Sequence, residues 1–67
     1  MATSKQMNLI GIKKNQAGIA GYLTDDPEFK QEFADQDWAF QDSTLWDNEQ
    51  VGMVLEFLQN KINKIRG

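Results

Sequence analysis

Cysteine and histidine are both absent from this chain of 67 residues. Without cysteine there is no disulfide framework and no thiolate metal site. Without histidine the chain lacks the commonest general base and the commonest ligand for zinc, copper or iron, so carboxylates are the only groups left for acid or metal chemistry. A domain of this length also has little room for a concave pocket that excludes water. We therefore expect a protein that is not an enzyme, with no catalytic residue, no metal site and no cofactor.

Long hydrophobic runs are missing as well. No apolar run approaches the roughly 20 residues that a membrane span needs. The start MATSKQMNLIG lacks the charged and then hydrophobic pattern of a signal peptide. We expect a cytoplasmic protein with no membrane partner. It forms one domain over residues 1–67, in which the polar residues 1–6 are flexible and structure begins near Met7.

Negative charge is concentrated in the middle of the chain. The net charge is −3, but residues 1–24 carry +3, residues 25–49 carry −8 and residues 50–67 carry +2. The middle segment holds nine of the ten acidic residues, with Lys30 as its only cation. Within it, the stretch FADQDWAFQDSTLWD (residues 33–47) places four large aromatic residues among four aspartates.

Glycine recurs in the segment MNLIGIKKNQAGIAGYL, residues 7–23, at positions 11, 18 and 21. Each glycine costs about 1 kcal/mol in a helix interior, whereas a turn over residues 15–18 between two short strands uses glycine where it is tolerated. We therefore expect a β-hairpin. A helical alternative stays open, because four apolar residues fit one helical stripe if Gln16 is included in it: Leu9, Ile12, Ile19 and Leu23.

A single proline marks the start of a short acidic helix. The residue before a proline is pushed out of the helical region, so Asp26 suits an N-cap and Pro27 the first helical position. A helix from Pro27 to about Asp35 would place Phe29 and Phe33 on one face. We expect that face to be buried against the hairpin.

The C-terminal segment predicts a long amphipathic helix. Asp47 as N-cap and Gln50 three residues later make an approximate capping box, and Trp46 and Val51 occupy the two positions of a hydrophobic staple. Six apolar residues then form one continuous helical stripe: Val51, Val54, Leu55, Leu58, Ile62 and Ile65. The overall expectation is an α+β domain, in which a glycine-rich β-hairpin packs against the short acidic helix and this longer C-terminal helix.

Two chemical motifs fail on their spacing. Asp35 and Asp37 supply the first two ligands of a calcium loop, but Phe40 stands where the loop needs glycine and Trp46 where it needs its closing glutamate. The sequence GIAG at residues 18–21 lacks the third glycine of a nucleotide-binding fingerprint.

The stretch NQAGIAGYLTDD, residues 15–26, resembles the first helix and turn of helix-turn-helix proteins, in which a glutamine–alanine start and an Ile-Ala pair precede a leucine and the turn. It covers about a fifth of the chain. The resemblance implies a recognition helix over residues 27–35, but that segment holds Glu28, Glu32 and Asp35 against Lys30. DNA phosphates would repel such a helix. A helix-turn-helix-like DNA-binding protein, or an oligomeric structural protein, is therefore the alternative, and no family is assigned.

The acidic middle segment favours a role in binding. A focused negative field attracts basic surfaces and speeds association with them, and an acidic face of this kind can mimic nucleic acid and block a basic site. We expect a small phage or bacterial regulator or inhibitor that binds a protein with a basic surface and makes no direct contact with nucleic acid. The opposing interpretation takes the aromatics as core and the aspartates as helix caps and solvated loop. The candidate partner-binding residues are Asp25, Glu28, Glu32, Asp35, Asp37, Trp38 and Asp42.

Two further expectations concern exposed apolar side chains. Among the aromatics of the acidic segment, we expect Trp38 to be the partly exposed anchor, because Trp46 serves as a staple and Phe40 is easily buried. Residues 37–44 would form a third short strand or an ordered loop. Met53 and Phe57 lie four residues apart off the core stripe, which predicts an exposed patch and a homodimer contact.

Overall fold

The computed structural model describes residues 2–67, and helices are the only regular secondary structure in this part of the chain, with no β-strand. Three α-helices are present: α1 (Ser4–Gln16), α2 (Pro27–Glu32) and α3 (Asn48–Arg66). Three short 3-10 helices lie between them, at Leu23–Asp25, Asp37–Phe40 and Ser43–Leu45. The expected α+β fold is therefore wrong, and so is the strand considered for residues 37–44.

The N-terminal hairpin is replaced by α1, which begins earlier than expected. The backbone N–H of Gln6 donates to Thr3 Oγ1 (3.1 Å), and the backbone N–H of Thr3 donates to Gln6 Oε1 (2.9 Å). This reciprocal capping box satisfies two amides that a helix start otherwise leaves unpaired. Residues 3–6, expected to be flexible, therefore form the cap and first turn of α1, while Met1 lies outside the described residues.

Gly18, which was expected in a hairpin turn, instead ends this helix. Gly18 has φ of +80°. Its N–H donates to Asn15 O and the N–H of Ile19 donates to Lys14 O, both at 3.1 Å. This is a Schellman motif, in which a left-handed residue closes the last turn. Gly11 lies inside the helix, where its cost of about 1 kcal/mol is outweighed by the capping and packing of α1.

The alternative of a helix in residues 7–23 would bury Leu9 and Ile12 on one face, and that placement is wrong. Leu9 and Ile12 of the proposed stripe are 40% and 54% exposed, whereas Ile10 between them is buried. The helix ends at Gln16, so the helical first element implied by the resemblance to helix-turn-helix proteins is not formed over residues 17–22.

The short helix α2 follows its proline as predicted but ends at Glu32, earlier than expected. Asp26 caps it, accepting a hydrogen bond from the N–H of Phe29 (3.0 Å). Phe29 and Phe33 are both buried, as predicted, but against other partners. Their rings lie 5.6 and 5.7 Å from the ring of Phe57 in α3, so this face packs on the long helix rather than on a hairpin.

The prediction for α3 is confirmed at its start and along its buried face. Asp47 Oδ1 accepts from the N–H of Gln50 (2.8 Å), and Gln50 Oε1 accepts from the N–H of Asp47 (3.0 Å). Trp46 and Val51, the staple positions, are both buried. Most of the stripe lies in the core, although Ile65 in the last turn is 62% exposed.

The two long helices run parallel, side by side. Gln6 Nε2 donates to Asn48 Oδ1 (2.9 Å) at one end, and Lys13 Nζ donates to Gln59 Oε1 (2.7 Å) further along. Residue numbers increase together on the two helices, so residues 17–47 must return the chain to the starting end of α1. This connection carries α2 and all three 3-10 helices.

The connection places α2 on the opposite side of α3 from α1. Lys61 of α3 forms an ion pair with Asp26 (3.0 Å) at the start of α2, while Gln59 contacts α1. Side chains two residues apart on a helix project about 200° apart, so α3 is flanked by α1 and α2. Twelve hydrophobic residues fill the core between them: Ile10, Ala17, Ile19, Leu23, Phe29, Phe33, Ala39, Trp46, Val51, Val54, Leu58 and Ile62.

We expect Gly52→Ala to stabilise the protein by about 1 kcal/mol. Gly52 lies in the interior of α3, where a Cβ would meet no atom within 4 Å, so alanine removes the entropic cost of glycine without a clash. Gly18→Ala is the matched control, expected to destabilise by about 1–2 kcal/mol because of its left-handed backbone. Urea unfolding of both variants measures this, and a Gly52→Ala midpoint at or below that of the wild type would contradict it.

Candidate functional site

Three of the nine acidic residues in the middle segment stabilise the fold. Asp26 caps α2 and pairs with Lys61, Asp47 caps α3, and Asp42 accepts hydrogen bonds from the N–H (3.0 Å) and the hydroxyl (2.9 Å) of Thr44. These are the roles that the cap-and-loop interpretation assigns to aspartate. They account for only part of the segment's charge.

Asp42 is held in its charged form. The backbone N–H of Thr44, and then its hydroxyl, lower the pKa of the Asp42 carboxyl below its ordinary value. Both groups donate to the carboxylate and so favour the charged state. Asp42 therefore carries a negative charge between the 3-10 helix Asp37–Phe40 and the 3-10 helix Ser43–Leu45, which it caps.

The other predicted acidic positions are free to meet a partner. Asp25, Glu32, Asp35 and Asp37 are exposed, and within residues 2–67 none of them forms an ion pair. Glu28 lies 3.6 Å from Lys61, but its side chain is 56% exposed and Lys61 is shared with Asp26. The segment thus presents carboxylates that the fold does not use.

Trp38 is half-buried and held by its neighbours. Its indole N–H donates to Gln36 Oε1 (3.0 Å), and its ring packs edge-on against those of Phe33 (5.6 Å) and Trp46 (5.8 Å). Trp46 in turn donates its own indole N–H to the carbonyl of Trp38 (2.9 Å). Trp38 therefore offers a fixed edge to solvent.

Phe40 is the more open aromatic, so the expectation that it is buried is wrong. It is 44% exposed, and one edge of its ring packs on Phe29 at 5.8 Å. The 3-10 helix Asp37–Phe40 turns Ala39 into the core instead, which rotates its neighbours Trp38 and Phe40 outward. A short helix of this kind has no clear signal in a stretch whose alternation resembles a strand.

The predicted acidic residues do not share one flat patch. Glu28 and Glu32 line a depression between α2 and α3, beside Phe57 and Lys64. Asp42 lines a different depression, a groove next to α1. The predicted acidic residues are therefore spread over at least two places on the surface of the segment that joins α1 to α3.

The groove next to α1 is not predicted from the sequence, because the β-hairpin expected over residues 7–23 would not form it. It has a volume of about 800 Å³ and lies between α1 and two parts of the connection, residues 20–24 and 41–43. Apolar side chains form much of its lining: Met7, Ile10, Tyr22, Leu23 and Trp46. Tyr22 stands at its edge with 80% of its surface exposed.

The patch predicted from Met53 and Phe57 is smaller than expected. Met53 is 39% exposed, but Phe57 packs between Phe29 and Phe33 and is half-buried. The homodimer contact is therefore reduced to Met53 as its one open side chain, and it stays a prediction.

No protein-family model, curated protein or solved structure matches this chain. Across residues 2–67, no group of three or more acidic side chains is placed to hold a metal ion. None of the helices of this part of the chain combines the length and the apolar character needed to cross a bilayer. Any functional conclusion therefore rests on the acidic surface and the groove.

Proposed function

We propose that the protein is a cytoplasmic, non-catalytic binding module that recognises a basic surface on a partner protein through residues 25–49. The observation that carries this proposal is the set of exposed carboxylates that form no ion pair: Asp25, Glu32, Asp35 and Asp37. Like charges on a small domain repel one another and destabilise the compact state. Their concentration in one segment is a cost that a basic partner would offset.

The aromatic residues between these carboxylates supply what charge alone does not. Interface energy comes from a few large, well-packed side chains surrounded by polar groups. Trp38 and Phe40 present partly open rings between Asp37 and Asp42, on a 3-10 helix whose other side is anchored in the core. This arrangement supports a rigid anchor ringed by negative charge.

The alternative of DNA binding gains no support from the geometry. The helix that would enter a groove of DNA, α2, has only six residues and carries Glu28 and Glu32. Its one unpaired cation is Lys30. A surface of that charge is repelled by phosphates, so a direct nucleic-acid contact is not proposed.

The test uses a fluorescent peptide of lysine and arginine as a model basic surface. We expect Asp35→Asn with Asp37→Asn to weaken its binding about fivefold, because each lost exposed ion pair is worth up to about 1 kcal/mol. Asp42 is left intact because it holds the Thr44 turn. Fluorescence anisotropy at low and at physiological salt measures affinity, and the salt dependence should flatten.

Asp37→Asn alone and Glu56→Gln form the matched pair, since each removes one charge and Glu56 is the acidic residue that lies outside residues 25–49. Asp37→Asn should weaken binding about twofold, and Glu56→Gln should change the affinity much less. Equal losses in these two single variants would mean that the peptide senses only net charge, and the proposal would fail.

A further inference from the structure

The groove beside α1 has an apolar floor and a negative mouth. Met7 and Ile10 from α1 line it, opposite Leu23 and Trp46. At its mouth, Asp42 carries a carboxylate that is held charged by Thr44. Asp25 follows the lining residues Leu23 and Thr24 in the same 3-10 helix and adds a second exposed carboxylate nearby.

The cation in the lining, Lys14, forms no ion pair with Asp42 among the described residues. Lys14 Nζ donates to two backbone carbonyls of the loop after α1, Ile19 O (3.1 Å) and Gly21 O (2.8 Å). Its hydrogen bonds therefore serve to hold that loop against the helix. An incoming apolar group would meet a hydrophobic wall, and an incoming cation would meet Asp42.

Gly11 contributes no side chain to the groove, so the space beside it is open. It lies in the interior of α1 and lines the groove, and a Cβ at this position would meet no atom within 4 Å. A glycine inside a helix is less favourable than alanine. A side chain at position 11 would project into the open space that a guest would use.

We propose that this groove receives one aromatic or long aliphatic side chain from a basic segment of the partner, whose neighbouring lysine or arginine pairs with Asp42. The inference deepens the proposed function, on which it rests for the partner's basic character. It commits the groove to a peptide in which an apolar residue is flanked by cations. The charge complementarity at the mouth separates this guest from a neutral or acidic one.

The test compares two fluorescent peptides: the lysine and arginine peptide used above, and the same peptide with one central phenylalanine. We expect the phenylalanine to tighten binding to the wild type about tenfold, since burial of one such side chain is worth a factor of this size. Gly11→Leu, which fills the groove, should remove that gain. The two peptides should then bind this variant with the same affinity.

Gly52→Leu is the matched control, because it makes the same change at an exposed position of α3 that does not line the groove. It should preserve the tenfold gain. Gly11→Ala adds a single methyl group, is compatible with α1, and should reduce the gain partly. Thermal melts establish that each variant is folded before binding is compared.

Amide chemical shifts give a second readout that needs no variant. The peptide with phenylalanine should shift the amides of Met7, Ile10 and Gly11, and the peptide without it should not. A gain that survives Gly11→Leu in the folded protein, no gain from phenylalanine at all, or shifts confined to other residues would each overturn the groove inference. The proposed function fails by a different result, which is equal sensitivity of binding to Asp37→Asn and to Glu56→Gln.

Discussion

Leu58→Ala is expected to lower the free energy of unfolding by about 2–5 kcal/mol, because truncating a buried leucine leaves a cavity that the core fills only in part. Leu58 has no exposed surface and lies in the centre of the buried stripe of α3. At about 0.05–0.15 kcal/mol per residue, a domain of 67 residues is stable by roughly 3–10 kcal/mol. The loss is comparable with the whole stability at the low end of that range and reaches about half of it at the high end, so the urea midpoint should fall steeply.

Leu45→Ala is the matched control, since it removes the same atoms from a leucine that is 59% exposed. Circular dichroism during urea unfolding should place its midpoint close to that of the wild type. If Leu58→Ala unfolds at the same urea concentration as Leu45→Ala, Leu58 does not contribute to the core.

Phe29→Ala should be at least as damaging, with an expected loss of about 3–5 kcal/mol. Phe29 is fully buried, and its ring contacts those of Phe33 (4.7 Å), Phe40 (5.8 Å) and Phe57 (5.6 Å). Aromatic pairs in tilted and edge-on geometry each add about 0.5–1.5 kcal/mol beyond the area they bury. Removing the central ring takes away all three contacts and leaves the Phe33–Phe57 contact and the Asp26–Lys61 ion pair to hold α2 on α3.

Phe40→Ala serves as the comparison, because it deletes a half-open ring that retains only the contact with Phe29 among these rings. Its loss should be well under half that of Phe29→Ala. Differential scanning calorimetry and near-ultraviolet circular dichroism measure stability and aromatic packing together. A Phe29→Ala variant that melts with Phe40→Ala would place the centre of the cluster elsewhere.

Local signals were sufficient for the second half of the fold. The capping box at Asp47 and Gln50, and the proline after Asp26, act over a single turn of helix, so they are legible in the sequence and are realised in the structure. The buried faces of α2 and α3 followed from helical spacing. What they pack against did not, because that depends on the position of α1.

The prediction of a hairpin in the N-terminal part of the chain is wrong, and the reason is equally local. Thr3 and Gln6 form a capping box as complete as that of α3, but they lie in the polar stretch of residues 1–6, for which the sequence predicts flexibility. Three glycines then outweighed the helical signal, although Gly18 ends the helix and Gly11 is accommodated inside it. The low contrast between the faces of α1, with Leu9 exposed and Ile10 buried, removed the periodicity that would have corrected this.

The candidate site also has one part that the sequence predicts and one part that it does not. The charge of the middle segment can be counted from the sequence, and the structure leaves Asp25, Glu32, Asp35 and Asp37 exposed. The groove with Gly11 in its lining was beyond sequence reasoning, since it exists only where α1 meets the connection.

The parallel arrangement of α1 and α3 has a consequence for the order of events during synthesis. The contacts between these helices join residues 42 and 46 positions apart, and closing such loops costs roughly 3 kcal/mol of chain entropy. As the chain leaves the ribosome, α1 emerges first, yet the helix that it packs along is made last. The face of α1 that packs along α3 must therefore stay uncovered until translation is nearly complete, and a nascent chain stalled before α3 exposes it.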